Sequence, residues 1–470
     1  MEKNYIKHTL YLICLVVTFL LLLQIVPDKV INKLNAKKID ILSDIRRDSM
    51  DVLNVSQPLM LPPPPPPKQD IPCPSGMVCF EDYSANRDGL NNFFKALDLK
   101  SKKVIRIAFF GDSYIEGDIF CADLRSNLQN EYGGRGVGLV PLTSQVASFR
   151  KTVKHSFSGW NSKSIIDSKD FSEIGISGYS FRPDKNATVK YSGVKLPCLE
   201  YVEQASLLYY LPEGNVSVSY RINDEKEVKT VNLPTSSTVT KYDIIADSIG
   251  TVQFDFLSNS RNLCVYGVSL QNKAGVIVDN FSLRGSPGTT LKFLSENILK
   301  QTDSLLAYDL IILQYGLNVM SANRINYSSY RKGMQETVEY LKKCFPKSSI
   351  LLLSIGDRSM HKDGGYVTMP GVPAMVACQQ AICCETGIVF WNLFEAMGGS
   401  GSMVEMVRAS PPKANKDYTH LNFEGGKYLG EILFKSIVFE KKRYDRLGKN
   451  RKRQKTKSYM SNTITENYAH

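Results

Sequence analysis

The chain has 470 residues and a formal net charge of +12, a length too great for one compact domain and sufficient to bury a substantial apolar core. Between Lys441 and Lys457 ten Lys or Arg residues stand against one acid, Asp445, so this stretch carries 10 − 1 = +9 and leaves 12 − 9 = +3 for everything else. A nearly neutral folded part, without zinc-finger spacing or an RNA-binding aromatic signature, argues against a nucleic-acid reader; no nucleic-acid partner is expected.

In chain order, residues 9–26 form an uncharged apolar run, interrupted only by Gln24 near its end, of about the length that spans a bilayer. It reads as an uncleaved signal anchor, because no small-x-small cleavage site follows; a single N-terminal transmembrane helix over residues 1–26 is the expectation. Lysines flank the run on both sides, so the positive-inside count leaves the orientation open. Residues 27–72 are charged and then proline-rich, with six prolines from Pro62 to Pro67, a stiff spacer between membrane and domain. Cys73 and Cys79 are spaced to close a small disulfide if the compartment is oxidising, whereas Cys383 and Cys384 read as structural. No cysteine pair has metal-ligand spacing with a histidine, so neither a metal nor an organic cofactor is expected.

The run 104–110 is short and almost wholly apolar, the signature of a strand buried on both faces. Over 119–132 Phe120, Leu124 and Leu128 recur every four residues, one face of a helix. The alternation resumes with strand 310–313, helix 330–345, strand 350–353, helix 374–385, strand 388–391 and helix 422–439. Such a series predicts an α/β fold, a parallel sheet covered by helices on both faces. Between the halves, from about 157 to 271, short β-rich segments at 187–191, 216–222, 228–233 and 252–257 are separated by Pro, Gly, Asn and Asp turns. That texture predicts an inserted antiparallel β domain of sandwich type, either a carbohydrate-binding or substrate-positioning module or a structural insert. The expected division is a hydrolase part over 73–155 and 273–440, the insert over 156–272, and a basic disordered tail over 441–470.

The first buried strand runs directly into Gly111-Asp112-Ser113. A nucleophilic serine belongs on such a tight turn at the carboxyl edge of a sheet, where backbone donors face a developing oxyanion. Its base must come from five histidines. His8 precedes the apolar run and His470 is the last residue; His155 and His361 lie at the start of the β-rich region and in a Gly- and Lys-rich loop. His420 lies just before the final helix, with Asp417 three residues upstream, a spacing that lets the carboxylate orient the imidazole.

Four blocks, in order, resemble the SGNH family of GDSL esterases and lipases: Gly111-Asp112-Ser113, then Arg284 to Thr290 with Gly288 as its key glycine, then Gly316-Leu317-Asn318, then Asp417 to His420. The resemblance implies a three-layer, flavodoxin-like parallel sheet carrying the β-sandwich insert. It implies Ser113 as nucleophile, His420 as base, Asp417 as its orienter, and an oxyanion hole of the Ser113 amide, the Gly288 amide and the Asn318 side chain. Phe110 to Gly117, Arg125, Gln129 and the run Tyr132 to Leu139 are similar to bacterial peptidoglycan or polysaccharide O-acetylesterases, a subgroup that also carries a β-rich insert. Tyr114 stands where that group often has His, and Val319 where Glu is common, departures that bear on the substrate more than on the machinery. The implied activity is removal of O-acetyl groups from an envelope carbohydrate, with the domain outside the membrane, anchored by the N-terminal helix, and the basic tail against an anionic wall polymer. Transfer of the acetyl group to a sugar hydroxyl, and an inactive glycan-binding protein, are the competing readings.

Overall fold

The structure is a computed structural model that describes residues 72–256, 262–322 and 324–467, together with Tyr11, Leu12, Leu15 and Thr18. The chain divides into two compact units, 1–61 and 62–470. In the first, the four described residues are helical, and the rest of the apolar run at 9–26 lies outside the described residues. The expected transmembrane helix thus falls outside the described residues, and among the described residues no helix is long and apolar enough to cross a membrane. The longest, Phe423–Asn467, is rich in Lys and Arg. It runs through the basic stretch for which a disordered tail was expected, in keeping with the high helix propensity of Lys, Arg and Gln.

The second unit opens on the Cys73–Cys79 disulfide. Strands β1 (Glu81–Asp82) and β2 (Val104–Gly111) follow. Next come β3 (Gly138–Val140), β4 (Lys154–Ser164), β5 (Tyr179–Ser192), β6 (Val202–Tyr210), β7 (Val216–Ile222), β8 (Lys229–Leu233), β9 (Thr240–Ile249), β10 (Thr251–Phe256) and β11 (Cys264–Gln271). The chain then passes through β12 (Gly275–Ser282), β13 (Tyr308–Gln314), β14 (Ser349–Leu353), β15 (Ser359–Lys362), β16 (Gly365–Thr368) and β17 (Val389–Trp391).

One sheet has the order β1-β17-β14-β13-β2-β12. Five of its strands are parallel, and Ile105, Ile107, Phe109 and Phe110 of β2 are fully buried, as the apolar run predicts. Here the all-parallel, three-layer expectation is corrected: β1 pairs antiparallel with β17, Glu81 opposite Phe390, so the sheet is mixed. A short strand arriving at an edge has no crossover to make and is free to pair antiparallel. The sequence reading also missed β12, the edge strand beside β2. Asp279 and Asn280 interrupt its apolar run, yet Asp279 is completely buried, paired with Arg106 of β2 at 2.8 Å and accepting from Tyr308 Oη at 2.7 Å.

The inserted region is likewise corrected. It is not a sandwich of two sheets but one continuous nine-stranded antiparallel sheet, β8-β7-β10-β5-β11-β6-β9, with β3 on β11 and β4 on β5. β5 pairs β11 at Phe181 and β10 over Ala187 to Ser192, so the sheet turns a corner along this strand. Beyond β8 the Ser236 N–H donates to Leu211 O at 2.8 Å, and Tyr209 Oη of β6 donates to Pro234 O at 3.0 Å. These bonds draw one end of the strand order back toward the other, nearly closing a barrel around one apolar core that includes Val189, Leu207, Val218, Phe254 and Val268. Near-closure removes exposed sheet edges, for which a sequence carries no local signal. The two sheets are tied by Asp279, whose Oδ1 accepts from the Leu139 N–H of β3 at 2.8 Å.

Candidate active site

The parallel strands β2, β13, β14 and β17 all end on one edge of the mixed sheet, and the loops that leave them there are where α/β folds assemble sites. Ser113 follows β2 by two residues. Its Oγ lies 3.0 Å from His420 Nε2, and His420 Nδ1 lies 2.8 Å from Asp417 Oδ2. Three residues chosen from sequence, two of them 307 positions apart, are thus in one hydrogen-bonded chain.

The histidine arm is built locally. Asp417 Oδ1 accepts the backbone N–H groups of Thr419 and His420, each at 3.0 Å, while Oδ2 faces the ring. Burial pushes Asp417 up, but these donors and the imidazole outweigh it and hold the carboxyl below its usual range, so it is ionised at neutral pH. Tyr418 between them takes a left-handed φ of 54°. Its carbonyl accepts from Ser359 N at 3.0 Å and its ring lies flat on Tyr366, centroids 3.6 Å apart. Both partners belong to the β15–β16 hairpin, where the Gly- and Lys-rich sequence predicts a loop. His361 of that hairpin packs edge-on against Tyr366. His155, on β4, is held by Leu142 O at 3.2 Å, and burial lowers it to about 4.

The nucleophile arm is built from buried long-range contacts. Asp118, with φ 66°, is completely buried and ion-paired to Arg125 and Arg150 at 2.9 Å each. Thr152 Oγ1 donates to it at 2.5 Å and Asn280 Nδ2 at 2.7 Å. Burial alone would raise Asp118, but the two guanidinium groups overcome it and keep the carboxyl far below its usual range. The same Asn280 Nδ2 donates to Ile115 O at 2.8 Å, and Arg125 Nε to Val278 O at 2.9 Å, which fastens the turn after Ser113 to β12. In sequence Arg125 stands out only through the resemblance, and its partner Asp118 carries no signal, because an aspartate beside a glycine looks like an ordinary turn.

The predicted oxyanion donors are differently engaged. Asn318 sits in a single 3-10 turn after β13, and its Nδ2 donates to Asp112 Oδ2 at 2.9 Å and to Ser286 O at 3.1 Å. Asp112 is fully buried, and burial drives it up to about 7 against the donors of Tyr114 and Asn318. The Gly288 N–H donates to Ser286 Oγ at 3.1 Å. Gly288 has φ 82°, and a Cβ there would meet the Tyr315 ring at 2.6 Å, so this position requires glycine. Gly285 of the same loop has an N–H that donates to no described acceptor, a donor the reading of this block around Gly288 passed over. Arg358, beyond β14, donates through Nη1 to Leu317 O at 3.4 Å, and its charge acts on Asp417, which brings a cation to the rim between the Gly-x-Asn loop and the histidine arm. Among the described residues no cluster of His, Cys, Asp and Glu is arranged to hold a metal ion.

No protein-family model matches the chain, and no curated protein matches its sequence. Among solved structures, a peptidoglycan O-acetylesterase is similar over 77% of this chain and 99% of its own, with 19% identity and a TM-score of 0.62, which shows a shared fold. A family two carbohydrate esterase from Cellvibrio japonicus matches over 62% of this chain and 98% of its own with 9% identity and a TM-score of 0.25. A salicylyl-acyltransferase from a tetracycline biosynthetic pathway matches over 64% and 96% with 12% identity and a TM-score of 0.29. The last two are too distant in shape to carry an argument. The shared fold of the first, with the four ordered blocks on one sheet edge, fits the SGNH hydrolase family.

Proposed function

We propose that the chain is a serine esterase that removes O-acetyl groups from an envelope carbohydrate, peptidoglycan or another polysaccharide, through an acetyl-Ser113 intermediate. The observation that carries the reading is the continuous chain from Ser113 Oγ through His420 to Asp417. In the first half-reaction Ser113 Oγ bonds to the acetyl carbonyl carbon while its proton passes to His420 Nε2. The C–O bond to the sugar then breaks, and the sugar oxygen takes that proton. Water repeats the sequence on the acyl-serine and releases acetate. Asp417, ionised, holds the Nδ1–H tautomer and stabilises the imidazolium. The developing oxyanion draws on the Ser113 amide and the glycine loop, and at Asn318 it competes with Ser286 O, the longer of that amide's two contacts; one such donor contributes roughly 3 kcal/mol.

The Cys73–Cys79 disulfide supports an extracytoplasmic setting, since such bonds persist in oxidising compartments. The basic stretch 441–457 would favour an anionic wall polymer there; unchanged wall association after its removal would refute that. The direct test is acetate release from O-acetylated peptidoglycan and from a small acetyl ester, comparing wild type with Ser113→Ala and His420→Ala. The expected result is release by wild type and loss of at least about 10³-fold in both variants. Transfer of acetyl to an added sugar without net acetate would establish a transferase, and silence in every arm would overturn the esterase reading.

A further inference from the structure

A polar cleft of about 210 Å3 lies between the curled antiparallel sheet and the edge of the mixed sheet. It starts beside the nucleophile, for its wall includes Glu116, whose N–H donates to Ser113 O at 3.3 Å, and Arg284 of the glycine block. From the inserted region come Ser162, Ser164, Ser177 and Tyr179, and from β12 Asn280. That is room for far more than the few waters of an ordinary internal void.

Two features say what the cleft is made for. Ser177 and Asn280 are 4% and 8% exposed, and Ser177 Oγ and Asn280 Oδ1 have no hydrogen-bond partner in the protein. Buried polar atoms left unpaired are costly, so a pair of them lining one cleft marks positions that a bound group is to fill. The Asn280 amide is held by its nitrogen, through Asp118 and Ile115, so it stands ready as a fixed acceptor. The charges, by contrast, are already spent on one another. Glu116 is bonded to Arg284 and Asp118 to Arg150, which leaves only Asp167, at the exposed rim, outside an ion pair. A wall of hydroxyls and amides with matched charges and one tyrosine ring selects neutral, hydroxyl-rich ligands over anions.

We infer that this cleft is a glycan subsite, in which the inserted sheet and β12 hold sugar units of the acetylated chain next to Ser113, through hydroxyl contacts at Ser177 and Asn280 and the ring of Tyr179. The inference rests on the esterase reading of the neighbouring site and adds to it a role for the insert. Binding is measured by calorimetry on the full chain carrying Ser113→Ala, with O-acetylated glycan strands cut from peptidoglycan and with acetylated xylo-oligosaccharide as probes. At least one probe binds, and adding Ser162→Trp, which fills the cleft from an exposed strand position, or Tyr179→Ala weakens it tenfold or more. Both variants keep the thermal unfolding midpoint of the parent protein, which shows that the fold survives. Unaltered affinity in both variants, or no binding of either probe, overturns the inference. Wild-type turnover of the small ester is read separately, so failure of the esterase reading is distinguishable from failure of the subsite.

Discussion

The two arms that meet at the Ser113–His420 contact are built on opposite principles. The turn carrying Ser113 is anchored by buried groups, Asp118, Arg125 and Asn280 among them. The Asp417–His420 segment is half exposed and shaped by bonds among its own residues, with a tyrosine stack as its main outside support. The difference teaches how such a site divides its needs. A nucleophile must be fixed against the oxyanion donors, which rigid buried contacts achieve, whereas the base must stay accessible to leaving group and water. Damage to the first arm is therefore expected to appear as lost stability, and damage to the second as lost turnover in a folded protein.

The largest expected effect comes from Asp118→Asn. It leaves Arg125 and Arg150 facing a neutral amide in a buried site, and breaking a buried ion pair this way costs about 3–5 kcal/mol, read as a lowered denaturant midpoint. The sign in pH follows from the depressed carboxyl. Its contribution is complete above the ordinary carboxylate range, near about 4, and is lost progressively as pH falls below it. The variant should lack that part of the acid limb; an unchanged midpoint would show that the network is not what holds the nucleophile turn.

Asp112, six residues earlier and equally buried, runs the other way. Burial raises it to about 7, so the folded state keeps a proton that the unfolded state releases near about 4, and stability should fall as pH rises from there through about 7. Thermal unfolding between pH 5 and 8 reads this slope, and Asp112→Asn, which cannot ionise, should flatten it. A slope identical in the two proteins would mean that Asp112 is ionised throughout, with the Asn318 amide fully compensating it.

The smallest effect is expected on the histidine arm. Tyr366→Ala removes the stack on Tyr418, a contact of about 0.5–1.5 kcal/mol, and should lower kcat a fewfold with little change in the denaturant midpoint. Tyr366→Phe should restore kcat, since the ring and not the hydroxyl makes the stack. A change in KM alone would instead place Tyr366 against substrate.

What could be read in advance follows the range of the forces involved. Buried parallel strands announce themselves as short apolar runs, and 104–110, 310–313 and 350–353 all fall in β2, β13 and β14. β12 escaped because its burial includes Asp279, whose tolerance depends on Arg106, a residue remote in sequence. The β15–β16 hairpin escaped because its strands are short and polar, without an apolar face to set a period.

By itself the sequence determined the elements whose causes are local: the apolar strand runs, the turn at Gly111-Asp112-Ser113, the three-residue reach from Asp417 to His420, and the nearby Cys73 and Cys79. Only the tertiary structure decided which ends of the inserted strands approach each other, that the mixed sheet takes an antiparallel edge strand, which acids pair with which arginines, and that a polar cleft lies beside Ser113. The reason is physical. Backbone propensity and side-chain period act over a few residues, whereas sheet closure, ion-pair choice and the shape of a cleft depend on groups brought together by packing from across the chain.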